Sequence, residues 1–458
     1  MRSYLMKVLA GATTVGLAAA LIACDNRTLR VTAPDQVQPN ALNNATALPT
    51  VTAAVYADFS YSYAGDGGDD EGIIQFGGLL GDEWHSSDTF PTRNEVDQRQ
   101  TNNSNANNDT QFRRLHRARN TAEFAVGQYQ KFQPNAALEA EAFIYAGYAI
   151  LELGENYCSG IEFSQENADG TINYGLPLTT AQVWGLAHTK FDSALAVLAK
   201  DTIGADVTQI PIEKSFAAVG IGRLLVDSGA YAAAATAVAA VPDGFVFLEN
   251  YSAAITRTNN GVFEFTDNER RYSIPNEEGV NGLPYHNGDP RLPIDSIDPT
   301  THKQYVGFDR STAYFQQDKY PSPGSAIPLA TDMEARLIEA EAAIAAGSPA
   351  TALVKIQKAR EDAAAEMNIK LDTVVTAVPV GMTLVQFLFQ ERAYDLWLTG
   401  HRLGDLRRLI RQYGFAANSV FPTGPYPKGG VYGNEVALPI PISELGNPNY
   451  KACDATQP

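Results

Sequence analysis

Two stretches of this chain, LLVDSGAYAAAATAV at 224–238 and AEAAIAAGSPATAL at 340–353, carry one rhythm: an apolar helix face, a glycine, then a second helix rich in alanine. No other feature limits the fold so strongly. Alanine and glycine on facing sides let two helix backbones approach closely, and stacked pairs of this kind build tetratricopeptide-like solenoids. Further helical patterns surround the two. Phe112, Leu115, Ala118, Ala122 and Ala125 form one stripe, and Leu138, Ala142, Tyr145, Ala149 and Leu153 form the next after Pro134. Val51, Val55, Tyr56 and Phe59 share a face earlier in the chain, and helical spacing returns at 179–200, 213–229, 331–347, 348–367, 382–399 and 401–412.

The spacing is too irregular for a simple array, because two stretches interrupt it. Residues from about 60 to 110 hold the clusters GDGGDDEG, GLLGDEWHSSDTFP and NNSNANND, whose Gly, Asn and Asp mark turns. Residues 243–328 are rich in Gly, Pro, Asn and aromatics, with one short strand candidate, GVFEF at 261–265. The expected architecture is therefore mainly α: helix pairs as scaffold, with a large irregular loop-rich lobe as the working surface.

The N-terminus adds an address. Residues 1–23 carry Arg2 and Lys7, an apolar run from Val8 to Ile22 and then small residues, the layout of a secretory signal. Leu21-Ile22-Ala23-Cys24 looks like a bacterial lipobox, which makes Cys24 the predicted lipidation site and 24–50 an anchor and polar tether ahead of a single domain at 51–458. Each buried acyl methylene contributes about 0.8 kcal/mol, so several chains on one cysteine hold a protein on a membrane. In an oxidising compartment the other two cysteines, Cys158 and Cys453, could pair and tie the tail to the body, though spacing alone does not fix their distance.

The formal charge of −18 excludes non-specific nucleic-acid binding, since phosphates would be repelled, and suits neutral or cationic ligands. GDGGDDEG offers Asp66, Asp69, Asp70 and Glu71 to a hard cation, but the spacing departs from an EF-hand loop and reads as a solvated acidic turn, so no metal is expected. G-x-S-x-G, H-E-x-x-H and a phosphate-binding glycine loop with lysine are all missing from the sequence. The expectation is a binding protein with no cofactor and no catalytic residues, not an enzyme.

The segment ERAYDLWLTGHRLGDLRRL at 391–409 concentrates acids, a histidine and arginines between leucines. Its apolar residues fall at helical spacing on both sides of Gly400, and Asp405 lies three residues from both Arg402 and Arg408, an ion-pair interval on a helix. It reads as a helical hairpin bridged by charges. The same segment resembles the C-terminal signature of the SusD/RagB family. LIEAEAAIAAGSPATALVKIQKAR at 337–360, HNGDPRL at 286–292, LPIPISELGNPNY at 438–450 and the lipobox agree with that family in order. The resemblance implies a SusD-like fold, a lipid anchor in the outer membrane at the cell surface, and capture of oligosaccharides or peptides for a SusC-like TonB-dependent transporter. Asp25, directly after Cys24, departs from it, because aspartate there can mean inner-membrane retention.

Sugar sites pair exposed aromatics with polar side chains. Trp184 and Trp397 sit in helical patterns and read as core. Trp84, with Asp82 and His85 beside it, lies in a polar loop; Tyr272, Tyr285, Tyr305 and Tyr314, with His286, lie in the irregular lobe, and Asn102 in the Asn-rich loop. Together they form the expected ligand platform. An open cleft shared by these aromatics favours nutrient capture; their burial favours the alternative, a lipid-anchored helical-repeat scaffold for envelope protein complexes.

Overall fold

The computed structural model describes residues 39–68, 70–132, 135–167, 171–200 and 208–458. The expected signal peptide, Cys24 and the first part of the tether lie outside the described residues. Residues 39–47 form two short 3-10 turns, Pro39–Leu42 and Ala45–Ala47. From Leu48 onward the chain is mainly helical, with tetratricopeptide-like helix pairs and an irregular lobe.

The helices run in the order α1 Leu48–Ala64, α2 Ile73–Leu80, α3 Pro91–Asp97, α4 Ala106–Phe132, α5 Ala136–Asn156, α6 Thr180–Leu198, α7 Ile210–Asp227, α8 Tyr231–Val238, α9 Asp332–Ala345, α10 Pro349–Glu366, α11 Leu384–Asp395 and α12 Arg402–Arg411. Their starts follow local chemistry. Thr179 and Thr383 close capping boxes with Gln182 and Gln386, Asn135 accepts from Leu138 N, and Thr331 accepts from Glu334 N; each such cap is worth about 1 kcal/mol. The rhythm of the two glycine-linked pairs is explained by backbone: Gly229 and Gly347 both turn at positive φ, +75° and +69°, where side-chain-bearing residues are strained.

The pairs stack α4 on α5, α5 on α6, α7 on α8 and α9 on α10. Small residues set the spacing. A Cβ at Gly147 of α5 or Gly220 of α7 would fall 2.7 or 2.6 Å from the ring of Phe191, so that one buried aromatic from α6 fills the gap between two helices. Met333, Leu337, Ile356, Ala359, Phe387 and Leu388 close a second core between α9, α10 and α11.

The charged segment at 391–409 is structural, and its pairing differs from the expected one. Glu391, Arg392, Asp395, Arg402, Asp405, Arg407 and Arg408 are all buried. Asp405 does bond Arg408 (2.9 Å), but its bidentate partner is Arg392 of the preceding helix (2.8 and 2.9 Å). Arg402 reaches instead to Asp82, far away in sequence, at 2.5 and 2.9 Å. Burial alone would raise the Asp405 carboxyl, yet Arg392 and Arg408 bring it down to about 2. Trp184 and Trp397 are buried as expected.

Three local expectations are overturned. The region around 60–110 is not only turns: α2 and α3 form inside it, and α2 is buried along its whole length. GVFEF is no strand. Gly261–Phe263 begins a helical turn because the Asn260 side chain accepts from Phe263 N and caps it, and the turn widens at Glu264–Asn268. The acidic turn is also not simply solvated: Asp70 pairs with Arg114, and Glu71 with Arg93.

The lobe leaves and rejoins the helices at one place. Val246–Glu249 pairs antiparallel with Ile327–Thr331, and α9 starts directly after the second strand. His85–Ser86 pairs with Tyr272–Ser273 and so ties the 65–105 region to the lobe. At the other end, Cys158 is disulfide-bonded to Cys453 with Cα atoms 6.0 Å apart, beside Leu438, whose N–H donates to Asn156 O at 2.8 Å and whose carbonyl accepts from Cys158 N at 3.0 Å.

Candidate functional site

The aromatics expected to form the platform are inside. Trp84 is fully buried; it lies across α2 where Gly78 leaves room, since a Cβ there would sit 2.4 Å from the indole, and its Nε1 donates to Ile74 O at 3.3 Å. Tyr272 is buried and donates to Glu71 at 2.9 Å. Tyr314 is buried with its hydroxyl 2.8 Å from Thr266 O and 2.9 Å from Tyr272 O. Tyr285 packs beside Tyr394, ring centroids 6.1 Å apart, and Tyr305 lies under the Arg270 guanidinium at 4.3 Å. A lobe with few regular elements needs side chains that bring apolar area and a polar end to hold loop carbonyls, and tyrosine and tryptophan supply both. Asp82 is committed to Arg402 and to Leu283 N (3.0 Å). Asn102 is exposed, but its oxygen accepts from Ser104 N at 3.0 Å in a local turn. Of the expected residues, His85 and His286 reach a surface hollow, ≈460 Å³, that Asn276, Glu278 and Phe315 also line.

A different aromatic pair faces solvent. Phe90, just before α3, is 47% exposed, and Phe308, on the loop after Tyr305, is 41% exposed. The Arg271 guanidinium lies 3.8 Å from the Phe308 centroid and 5.0 Å from that of Phe90. Arg93 adds a second cation 5.0 Å from Phe90. Both arginines are held by the buried Asp88, at 2.9 and 2.6 Å. Burial would raise the Asp88 carboxyl, but Arg271 and Arg93 keep it below its ordinary value.

The Phe308 loop is fixed by its backbone. Phe308 N donates to Arg270 O, Asp309 N to Ser87 O and Gly307 N to Thr312 O, each at 2.9 Å. Asp309 caps the turn through Ser311 N and Thr312 N and pairs with Lys428 at 2.9 Å. Beside these rings opens a hollow of ≈460 Å³ lined by Thr89, Glu269, Arg270, Phe308 and Asp309 among others. The arrangement puts the Phe308 ring, two carboxylates and a hydroxyl around one opening, with Phe90 next in sequence to the lining Thr89. Neither ring stood out in the sequence, because DTFP and VGFDR have no periodicity and their stacking arginine, Arg271, lies 181 residues from Phe90.

Neither a scan against protein-family models nor a search of curated proteins returns a match. Solved structures do match. A SusD/RagB family protein from Bacteroides thetaiotaomicron superposes with a TM-score of 0.62 at 15% identity, covering 87% of this chain and 94% of its own. A SusD-like carbohydrate binding protein from Bacteroides fragilis gives 0.61 at 14%, covering 84% and 90%. NanU of B. fragilis gives 0.60 at 14%, covering 92% and 100%. At such identities the likeness is one of fold, and the fold of this chain is SusD-like, as the sequence resemblance implied.

Proposed function

We propose that this chain is a surface lipoprotein that binds a nutrient, an oligosaccharide in preference to a peptide, and delivers it to a partner TonB-dependent outer-membrane transporter. The observation that carries the reading is the exposed pair Phe90 and Phe308, stacked around Arg271, with Phe308 lining the hollow. A pyranose ring has apolar C–H faces that sit on aromatic rings and hydroxyl edges that need carboxylate and hydroxyl partners. Thr89, Glu269 and Asp309 line the same opening, the two carboxylates pairing also with Arg271 and Lys428. Rings fixed by stacked, ion-paired arginines lose little freedom when a ligand arrives, which favours binding. The lipobox at Cys24 and the SusD-like fold support the anchor and the transporter partnership. Among the described residues no helix is long and apolar enough to cross a membrane.

The scaffold alternative keeps one observation in its favour, the burial of Trp84 and the lobe tyrosines. Calorimetric titration against a panel of oligosaccharides and peptides separates the two. Nutrient capture predicts binding that Phe308→Ala and Phe90→Ala each weaken by about tenfold, roughly 1.4 kcal/mol. If no glycan or peptide binds, and a pull-down through a C-terminal tag from detergent-solubilised membranes recovers envelope proteins other than a TonB-dependent barrel, the scaffold reading replaces it.

A further inference from the structure

Most buried acids of this protein that are described above sit against arginines; Asp97 and Glu278 do not. Among the described residues their one ion-pair partner is His85, whose Nδ1 lies 3.2 Å from Asp97 Oδ2 and 3.4 Å from Glu278 Oε1. A single Nδ1 cannot satisfy two carboxylates with one proton. Each carboxylate also keeps a second oxygen, Asp97 Oδ1 and Glu278 Oε2, buried without a partner. An unpaired carboxylate oxygen in an apolar setting is costly, and this cluster holds two of them beside one histidine.

Its geometry states what kind of charge fits. The three ligand atoms lie within 4.8 Å of one another. A tetrahedral ion with arms of about 2.0–2.1 Å to nitrogen and oxygen has edges of about 3.3–3.4 Å, the separations found around His85 Nδ1. The outer contacts are those of a metal site as well. Tyr426 and Ser86 N donate to Asp97 Oδ2 at 2.8 and 2.9 Å and Tyr432 to Glu278 Oε1 at 2.9 Å, which orients both carboxylates and leaves Asp97 Oδ1 and Glu278 Oε2 without a donor. His85 and Glu278 also line the second hollow.

We propose that His85, Asp97 and Glu278 form a binding site for a divalent transition-metal ion, Zn²⁺ by its one-imidazole, two-carboxylate donor set. Calcium is the wrong ion, since it takes six to eight oxygen ligands. The site is separate from the Phe90–Phe308 face, and its failure would leave the nutrient reading as it stands.

The test uses the untagged full-length chain in detergent, stripped with a chelator and titrated with ZnCl₂ or CaCl₂ by calorimetry. One Zn²⁺ per chain is expected, with calcium not competing, and a loss of affinity of at least tenfold in each of Asp97→Asn, Glu278→Gln and His85→Ala. Zinc binding that is absent, or unchanged in all three variants, overturns the proposal. Should a variant not fold, Co²⁺ loaded into the wild-type chain decides: intense visible absorption of a four-coordinate ion is expected, and the weak spectrum of an octahedral ion refutes the site.

Discussion

Replacing Asp405 by alanine tests the claim that the 391–409 segment is an electrostatic skeleton. Asp405 accepts three charge-assisted hydrogen bonds, at 2.8, 2.9 and 2.9 Å. Arg408 would keep Glu341 at 3.1 Å and Asp227 at 3.3 Å. Among the described residues Arg392 would keep no carboxylate at ion-pair distance, and it is 1% exposed. Leaving one buried charge unpaired costs about 3–5 kcal/mol, a large part of the roughly 5–15 kcal/mol that holds a domain folded. Urea unfolding followed by circular dichroism should therefore show a clear drop in midpoint for Asp405→Ala. The double variant Arg392→Met with Asp405→Leu should recover most of the loss, because no charge is left stranded. The pH dependence has a definite sign. The folded carboxyl titrates near 2, below its unfolded value of about 3.9, so its stabilisation is present above that unfolded value and is lost as pH falls through about 2. An Asp405→Ala cost below about 1 kcal/mol, or a double variant as damaged as the sum of the two singles, would refute the argument.

Glu249 should act in the opposite direction. It is buried, bonded to the Tyr145 hydroxyl at 3.0 Å, and burial pushes its carboxyl up to about 8. The folded form thus keeps a proton that the unfolded form releases above its ordinary value near 4.5, so this stabilisation is full below about 4.5 and is lost as pH rises through about 8, by about 1.4 kcal/mol per pH unit within the window. Glu249→Gln should flatten urea midpoints measured between pH 5 and 7; an unchanged slope would mean the carboxyl is already ionised there. Reduction of Cys158–Cys453 opens a loop spanning 295 positions, for which chain entropy alone gives about 5–6 kcal/mol, while native bridges typically contribute about 2–5. A midpoint that does not move on reduction would show that the strand contacts around Leu438 hold the tail unaided.

The helices were legible because a 3.6-residue period survives in any sequence that buries one face: Val51, Val55 and Phe59, or Ala118, Ala122 and Ala125, mark their own buried faces. What they pack against was not legible. That Phe191 needs Gly147 and Gly220 is a fact about three helices at once. Asp405 illustrates the same limit, since the interval to Arg402 was sound helical chemistry, yet Asp82 competes for that arginine from 320 residues away. In the lobe the failure was systematic. Without a period, nothing separates a tyrosine that anchors a loop carbonyl, as Tyr314 does, from one that greets a ligand, and polar neighbours misled because Asp82 and Glu83 are themselves buried. Exposure there depends on strand pairings two residues long.

The two-stranded junction Val246–Glu249 with Ile327–Thr331 has a consequence for change over time. Both ends of the lobe are clamped together by the scaffold, so loops between them that do not touch the helices can lengthen or shorten, while Arg291, bonded to Glu391 and Asp395 at 2.7 Å, keeps the lobe docked. Doubling such a closed segment adds only about 0.6 kcal/mol of closure entropy. The arrangement works as a socket with an insert: altered specificity calls for changed loops in the insert and a matching 65–105 region, not a new set of helices.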